Sequence, residues 1–485
     1  MSHSELIIKN LSYISFSKII YFIFGFLFLV GITRYLGSTD YGLISFFLAY
    51  LAIFAILLDF GFSSLLTRDI ARNKSDANKY LSNIFAIKII LTIIFYLILI
   101  ISSYFLLKSL LLLELLLLLS VYIVLSNFIK FFYSLMQAFE KMEYQSFLDV
   151  LNAVLLLGGL VLAIIFKTSL FVVVLIYPLS AIILFFISWY FVRFKFVKFT
   201  IRIDLKFWLY IFKESLPFWL ITLFYSIRLN IGLLFLSFFT NYSSVGLFNA
   251  SLQIINILIM IPSILNIVMY PALSKFFVNS KENLVISLQK YFKISVILGL
   301  PISFGLTFLS DKIVYFLFGI QYMNSSIILK ILSWQLLFIF LGGVYTRLLE
   351  AANKQKVIAI LSCFVTIEYI IMCFFLIPIY GGVGLAITNV IAEGSALILV
   401  FLISIKNNFG FGSYYSKIII KSLVSCFLMS FFIISFYNLN LFLLIGISVI
   451  MYFFFIILLK ILDENDKIII YNFLNSLIRK FSHNS

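Results

Sequence analysis

The amino-acid sequence predicts an all-α membrane protein that crosses the bilayer many times. Of its 485 residues, 64% are hydrophobic and only 11% are charged, whereas about a quarter of the residues in a soluble domain carry a charge. The mean hydropathy is +1.18. Apolar runs of about 20 residues, the length of a membrane-spanning helix, follow one another along the chain. Together these observations exclude a soluble globular fold.

Fourteen of these runs are predicted to be transmembrane helices, separated by short segments that hold most of the polar and charged residues. The predicted spans are residues 13–33, 42–64, 82–106, 110–132, 147–166, 169–192, 215–238, 246–272, 290–310, 327–347, 357–378, 383–404, 417–437 and 440–461. We expect the last two to be additional to a core of twelve.

The distribution of Lys and Arg predicts the orientation of the chain. If the N-terminus is cytoplasmic, most of the 35 basic residues fall on the cytoplasmic side, with the richest clusters in loops 65–81 and 193–213. This is the positive-inside pattern of membrane proteins. The net charge of +16 is therefore explained by topology, and we expect no nucleic-acid partner.

A short segment divides the predicted spans into two groups of six. Residues 203–213 are too few to span the membrane. This segment contains Trp208 and Tyr210 close to Lys206 and Lys213. This pattern is typical of an amphipathic helix at the membrane surface. The predicted domains are an N-terminal six-helix lobe (1–202), the linker helix (203–213), a second six-helix lobe (214–406) and a C-terminal region with two additional helices (407–485).

Two pairs of similar segments indicate that the lobes arose by duplication. TRYLGSTDYGLISF (33–46) aligns with SFFTNYSSVGLFNA (237–250), which places Gly42 opposite Gly246. The second pair is LMQAFEK (135–141) and LLEAANK (348–354). Because six is an even number of spans, both copies have the same orientation. They form a parallel repeat, with the two pseudo-symmetric lobes around a central cavity.

Several motifs resemble those of polysaccharide repeat-unit flippases, the Wzx-type O-antigen and capsule flippases of the superfamily that also holds MATE exporters and the lipid II flippase. The similar stretches are RYLGSTDYGLISFFLAY, DFGFSSLLTRDIA, SSVGLFNASLQI, PALSK, RLLEAANKQK and IPIYGGVGLAITNVIAE. The resemblance covers residues 1–405. It implies alternating access in the bacterial inner membrane, with undecaprenyl-diphosphate-linked glycan as cargo and both termini cytoplasmic. With it we expect contact with a polymerase and a chain-length regulator.

Arg228 is the main candidate for cargo binding, because charged side chains within membrane spans are costly and are usually functional. It lies near the middle of span seven, with Tyr225 on the same helical face. A guanidinium suits a diphosphate or an acidic sugar. The alternative is that Arg228 pairs with Glu368 or Glu393 and only joins helices.

Polar side chains form a stripe along span eight. Asn249, Gln253, Asn256, Ser263 and Asn266 recur on one helical face. Amide groups match sugar hydroxyls as both donors and acceptors, so the first three are candidate glycan-binding residues. Hydrogen bonding between helices is the alternative.

The remaining candidates are charged groups at other depths of the spans. Glu393 and Glu368 are candidates for coupling transport to a proton or Na⁺ gradient, with pairing to Arg228 as the alternative. Lys18, one turn inside span one, is a candidate for the diphosphate, although snorkelling is its default. Asp59 is expected to be structural and Lys88 to snorkel.

Two other functional classes remain alternatives. A membrane polymerase or glycosyltransferase would place reactive groups in a sizeable outer loop, and the longest predicted outer loop is 311–326, without an acid/base pair. A MATE-type antiporter usually carries cations, which a central Arg would repel. The only histidines are His3 and His483, which argues against a histidine base or a histidine metal site in the body of the fold. No catalytic, metal or cofactor site is predicted.

Overall fold

The computed structural model describes the main chain of residues 3–106, 109–198, 200–406 and 413–461, and the side chains of the same ranges except residues 3–16, 106, 221, 225 and 413. Over these residues the chain is helical and contains no strand. The α-helices are α1 (His3–Asp59), α2 (Phe62–Arg72), α3 (Ala77–Leu106), α4 (Leu110–Ala138), α5 (Met142–Ile165), α6 (Leu170–Phe191), α7 (Leu205–Phe239), α8 (Tyr242–Leu258), α9 (Met260–Asn279), α10 (Lys281–Phe318), α11 (Ser325–Ala351), α12 (Gln355–Lys406), α13 (Ser413–Ser435) and α14 (Leu441–Leu458).

The predicted all-α membrane fold is confirmed. Within the described ranges, twelve helical segments are long and apolar enough to cross a membrane. Two of these segments, Ser17–Arg72 and Gln355–Lys406, each cover most or all of two predicted spans. The number of fourteen crossings stays a prediction.

Both long helices bend sharply at one glycine. Gly37 in α1 has φ 74° and ψ 178°, and Gly381 in α12 has φ 57° and ψ −130°. These positive φ values are strained for residues with a Cβ, so glycine is the residue that permits the kink at each position. The predicted turn at residues 33–46 is therefore present, as a break within α1.

The segment predicted as a linker helix is the beginning of α7. Asp204 caps this helix by accepting a hydrogen bond from the Phe207 amide at 3.1 Å. The Trp208 indole donates to Asn83 Oδ1 at 3.0 Å, which fixes the first turn against α3. The helix then continues through Pro217 to Phe239 without interruption. Span seven thus starts as an extension of the amphipathic segment.

The polar helix of span eight is interrupted between α8 and α9. The break falls at Ile259, three residues before Pro262. Proline has no N–H and its ring clashes with the carbonyl four residues earlier, here that of Leu258, which is the last residue of α8. Pro262 therefore explains where α8 ends.

The helices group into two compact units. The first holds residues 1–250 and 370–385, and the second holds 251–369 and 386–485. In the first unit α1 packs along α5 and α7, and α4 packs along α6. In the second, α10 packs against α11 and against α13. The two C-terminal helices thus belong to the core of the second unit, where Tyr452 is buried and donates a hydrogen bond to the Ile297 carbonyl at 2.9 Å.

Candidate functional site

Lys18 interacts electrostatically with a carboxylate of the first unit. Its side chain is exposed on α1, within electrostatic range of Asp149 on α5. The Asp149 carboxylate also accepts hydrogen bonds from the Tyr133 hydroxyl of α4 and the Gln145 amide of α5. Lys18 is thus part of a polar cluster that draws on three helices. The sequence reading missed Asp149, although a polar residue four positions after Gln145 shares its helical face.

Arg228 is half-buried in α7. The surrounding sequence is apolar, and Asn230 next to it directs its amide to the Ser226 carbonyl at 2.9 Å. The side chain of Tyr225, the other candidate on this helix, lies outside the described residues. A cation is therefore held at mid-helix in a segment that packs on α1 and α2.

Asn249 is a contact between helices in this structure. Its side chain is 8% exposed, and its amide nitrogen donates to the Tyr41 hydroxyl at 3.0 Å and to Ser45 Oγ at 2.8 Å. Both partners lie in α1. Since the amide donors already serve α8–α1 packing, the geometry favours the interhelical alternative. We leave Asn249 out of the binding residues proposed below.

The next two polar residues of α8 have a different environment, in the second unit. Gln253 is half-buried and Asn256 is exposed, and the Asn256 amide approaches Gln253 Oε1 at 3.5 Å. Further along, Asn266 in α9 accepts a hydrogen bond from the Tyr291 hydroxyl at 2.5 Å. The first and last residues of the polar stripe, Asn249 and Asn266, thus form hydrogen bonds to neighbouring helices. Gln253 and Asn256 lie between them in the sequence.

Glu368 pairs with a serine of the other half of α12. Ser395 Oγ donates to Glu368 Oε2 at 2.6 Å, across the reversal at Gly381. Glu393 is also half-buried. It precedes Ser395 by two residues, so it lies about 200° around the helix from it. The hydrogen bond from Ser395 thus orients the Glu368 carboxylate toward the other half of α12.

A buried ion pair at the end of the second predicted span was also missed. Lys88 is 1% exposed, and its ammonium donates to the Leu58 carbonyl at 2.9 Å, to Asn127 Oδ1 at 2.6 Å and to Asp59 Oδ1 at 3.4 Å. The prediction that Lys88 snorkels is wrong, because these three acceptors satisfy its charge inside the protein. Asp59 also accepts from Ser63 at 2.5 Å, which agrees with a structural role.

The chain matches a known protein family over more than half of its length. The model of the family described as "Polysaccharide biosynthesis protein" matches residues 7–277. The capsular polysaccharide biosynthesis protein CapF of Staphylococcus aureus is 33% identical over 135 residues, or 27% of this chain and 33% of CapF. The matched stretch thus spans about a third of the length of that relative.

Two solved structures share the fold. The lipid II flippase MurJ, in an inward closed conformation, matches with a TM-score of 0.73 and 19% identity over 91% of this chain and 97% of MurJ. An inward-facing multidrug resistance MATE family transporter of the MOP superfamily matches with a TM-score of 0.65 and 15% identity over 82% of this chain and 98% of that one. The fold expected from the resemblance is confirmed, because the chain shares the fold of both proteins.

Proposed function

The chain belongs to the polysaccharide biosynthesis protein family, and from this premise we propose that it flips undecaprenyl-diphosphate-linked oligosaccharides from the inner to the outer leaflet of the bacterial cytoplasmic membrane. In this proposal transport proceeds by alternating access. Both termini are cytoplasmic, and the product serves the synthesis of O-antigen or another surface polysaccharide.

Arg228 carries this proposal. A diphosphate is the one strongly charged part of such a lipid, so the protein must supply positive charge within an apolar environment. Arg228 is half-buried in a span that has no other basic residue between Lys213 and the end of α7. The guanidinium stays charged at any physiological pH and presents donors in a planar fork that matches phosphate oxygens. Tyr225 and Lys18 complete the proposed phosphate-binding set.

Two further groups of residues have proposed roles in the cycle. Gln253 and Asn256 present amides that can donate to and accept from the hydroxyl groups of the glycan. Glu393 and Glu368 are the proposed coupling residues. A membrane carboxylate that gains and loses a proton or Na⁺ changes the charge of its helix, and this change can drive the switch between states.

The proposal is tested by complementation of a bacterium that lacks its own repeat-unit flippase. Arg228→Ala is expected to abolish surface polysaccharide at matched membrane expression, and Arg228→Lys to restore part of it, because an ammonium keeps the charge but loses the planar fork. Arg72→Ala, which removes an exposed cation at the end of α2, is the control. Normal surface polysaccharide from Arg228→Ala would remove Arg228 from the mechanism.

A further inference from the structure

Three helices of the first unit each present two polar residues on one face. The paired positions are three or four residues apart, the spacing at which side chains are neighbours on a helix. The pairs are Lys18 and Tyr21 on α1, Tyr133 and Gln137 on α4, and Gln145 and Asp149 on α5. Six polar or amphipathic side chains in such an apolar chain would be costly if they faced lipid. Their spacing therefore points to a site.

Hydrogen bonds join the faces on α4 and α5, and the charge of Asp149 acts on the face of α1. The Gln137 amide donates to Gln145 Oε1 at 3.0 Å across the short turn that joins α4 to α5. Asp149 accepts from Tyr133 and Gln145, and its charge acts on Lys18 and on Tyr21. Gln137, Gln145, Asp149 and Tyr133 thus form one hydrogen-bonded group beside the α4–α5 turn, and Lys18 and Tyr21 lie within electrostatic range of its carboxylate.

The network remains accessible. Lys18 is exposed, Tyr21 is 42% exposed, and Tyr133, Gln145 and Asp149 are half-buried. An ionised carboxylate has about four acceptor positions, and the bonds from Tyr133 and Gln145 occupy two of them. Acceptor capacity on Asp149 and the flank of the Tyr21 ring are therefore available to a ligand.

The charges and donors of the network indicate the class of ligand. Lys18 offsets the charge of Asp149, so a metal cation would meet a neutral pair with an ammonium beside it, which is unfavourable. A carboxylate, two amides and two phenols instead match hydroxyl and acetamido groups, which both donate and accept. The ammonium of Lys18 at the edge matches a phosphate. A sugar attached to a phosphate satisfies both ends.

We propose that Asp149, Gln145 and Tyr133 form a sugar-binding subsite that holds the first sugar of the lipid-linked glycan while Lys18 contacts its diphosphate. This inference rests on the proposed function and adds to it a recognition site in the first unit. With the predicted orientation, the α4–α5 turn is cytoplasmic, so the subsite lies where cargo arrives from the inner leaflet.

The test compares two lipids on the purified full-length protein in lipid nanodiscs. One is undecaprenyl diphosphate, which has no sugar. The other is the lipid-linked oligosaccharide extracted from bacteria in which this gene is deleted. The wild-type protein is expected to bind the sugar-bearing lipid about tenfold more tightly, the effect of one hydrogen bond to a charged group. Asp149→Asn is expected to remove this preference and to change binding of undecaprenyl diphosphate by less than about twofold.

Two variants keep the test independent of folding defects. Tyr133→Phe retains the ring and loses one donor to Asp149, so we expect a smaller loss of the same preference. Glu143→Gln removes a negative charge from α5 at a position about 240° around the helix from Asp149, and it should leave both affinities unchanged.

The outcomes separate the inference from the function on which it rests. If Asp149→Asn weakens the binding of both lipids equally, Asp149 only orients Lys18, and the sugar subsite is refuted. An unchanged preference in both Asp149→Asn and Tyr133→Phe refutes it as well. If the deletion strain accumulates no lipid-linked oligosaccharide and the wild-type protein binds neither lipid, the proposed function itself fails.

Discussion

Gly42 and Gly246, which the predicted repeat aligns, pack against each other's helices. Each glycine lies against the backbone of the residue four positions before the other glycine. A Cβ on Gly42 would overlap with the carbonyl oxygen of Tyr242, and a Cβ on Gly246 would overlap with that of Ser38. Ser38 Oγ and Ser243 Oγ are 2.8 Å apart at the same crossing. The contact is reciprocal, as expected of two copies of one hairpin that pack on each other, and it explains why both copies have glycine there.

We expect Gly42→Ala and Gly246→Ala each to lower the stability of the protein strongly. The added methyl group meets backbone, which cannot rotate away as a side chain can, so α1 and α8 must separate. Overpacking of this kind costs typically about 1–3 kcal/mol. The measurement is the midpoint of thermal unfolding in detergent.

The control for the glycine variants is Gly158→Ala in α5, since a Cβ at Gly158 would meet no atom within 4 Å. This variant should be neutral or slightly stabilising, because alanine favours the helix over glycine. Equal unfolding midpoints for Gly42→Ala and Gly158→Ala would contradict the close crossing of α1 and α8.

Lys88→Met is expected to destabilise the protein by about 3 kcal/mol, the usual cost of removing one partner of a buried ion pair. Asp59 and the Leu58 carbonyl would then lose the ammonium that serves both. The double variant Lys88→Met with Asp59→Asn should recover part of the loss, since no carboxylate then lacks its partner. Thermal unfolding of the single and double variants gives the comparison.

Lys130 provides the control for this ion pair. Its side chain is 62% exposed and its ammonium is 4.0 Å from Asp59 Oδ2. Lys130→Met should therefore change the unfolding midpoint little. If Lys130→Met and Lys88→Met were equally destabilising, the pair with Lys88 would have no special role in holding the end of α1.

Asn249→Ala and Asn256→Ala are expected to differ in what they impair. Asn249 donates two hydrogen bonds to α1, so its loss should lower stability by about 1 kcal/mol, the scale of hydrogen bonds between membrane helices. Asn256 is exposed and lies next to Gln253. Asn256→Ala should keep the unfolding midpoint and lower transport. A variant pair with the reverse pattern would show that Asn249 binds the cargo.

Glu368→Gln is expected to make transport in proteoliposomes independent of an imposed proton or Na⁺ gradient, because glutamine cannot exchange either ion. Ser395→Ala removes the hydrogen bond to Glu368 and should weaken the dependence on the gradient without abolishing it. Transport by Glu368→Gln that still follows the gradient would rule out Glu368 as the coupling residue and leave Glu393 to be tested in the same way.

The length and spacing of apolar runs predicted the fold because each membrane helix satisfies its own backbone hydrogen bonds. The turn at residues 33–46 was also predictable, since Gly37 and Gly42 mark it. The start of α7 was not, because an amphipathic segment and the span after it are both helical and no signal stronger than Pro217 separates them. Proline within a membrane helix is tolerated where neighbouring groups satisfy the freed carbonyl.

The sequence by itself determined the fold class and the membrane setting. These properties follow from the composition and from the length and spacing of the apolar runs, which can be read locally along the chain. Only the tertiary structure decided that Lys88 is buried with Asp59, that Asn249 joins α8 to α1, and that Lys18 is within electrostatic range of Asp149. Each of these depends on residues far apart in the chain, and a polar side chain in a membrane helix acquires its role from the helix that faces it.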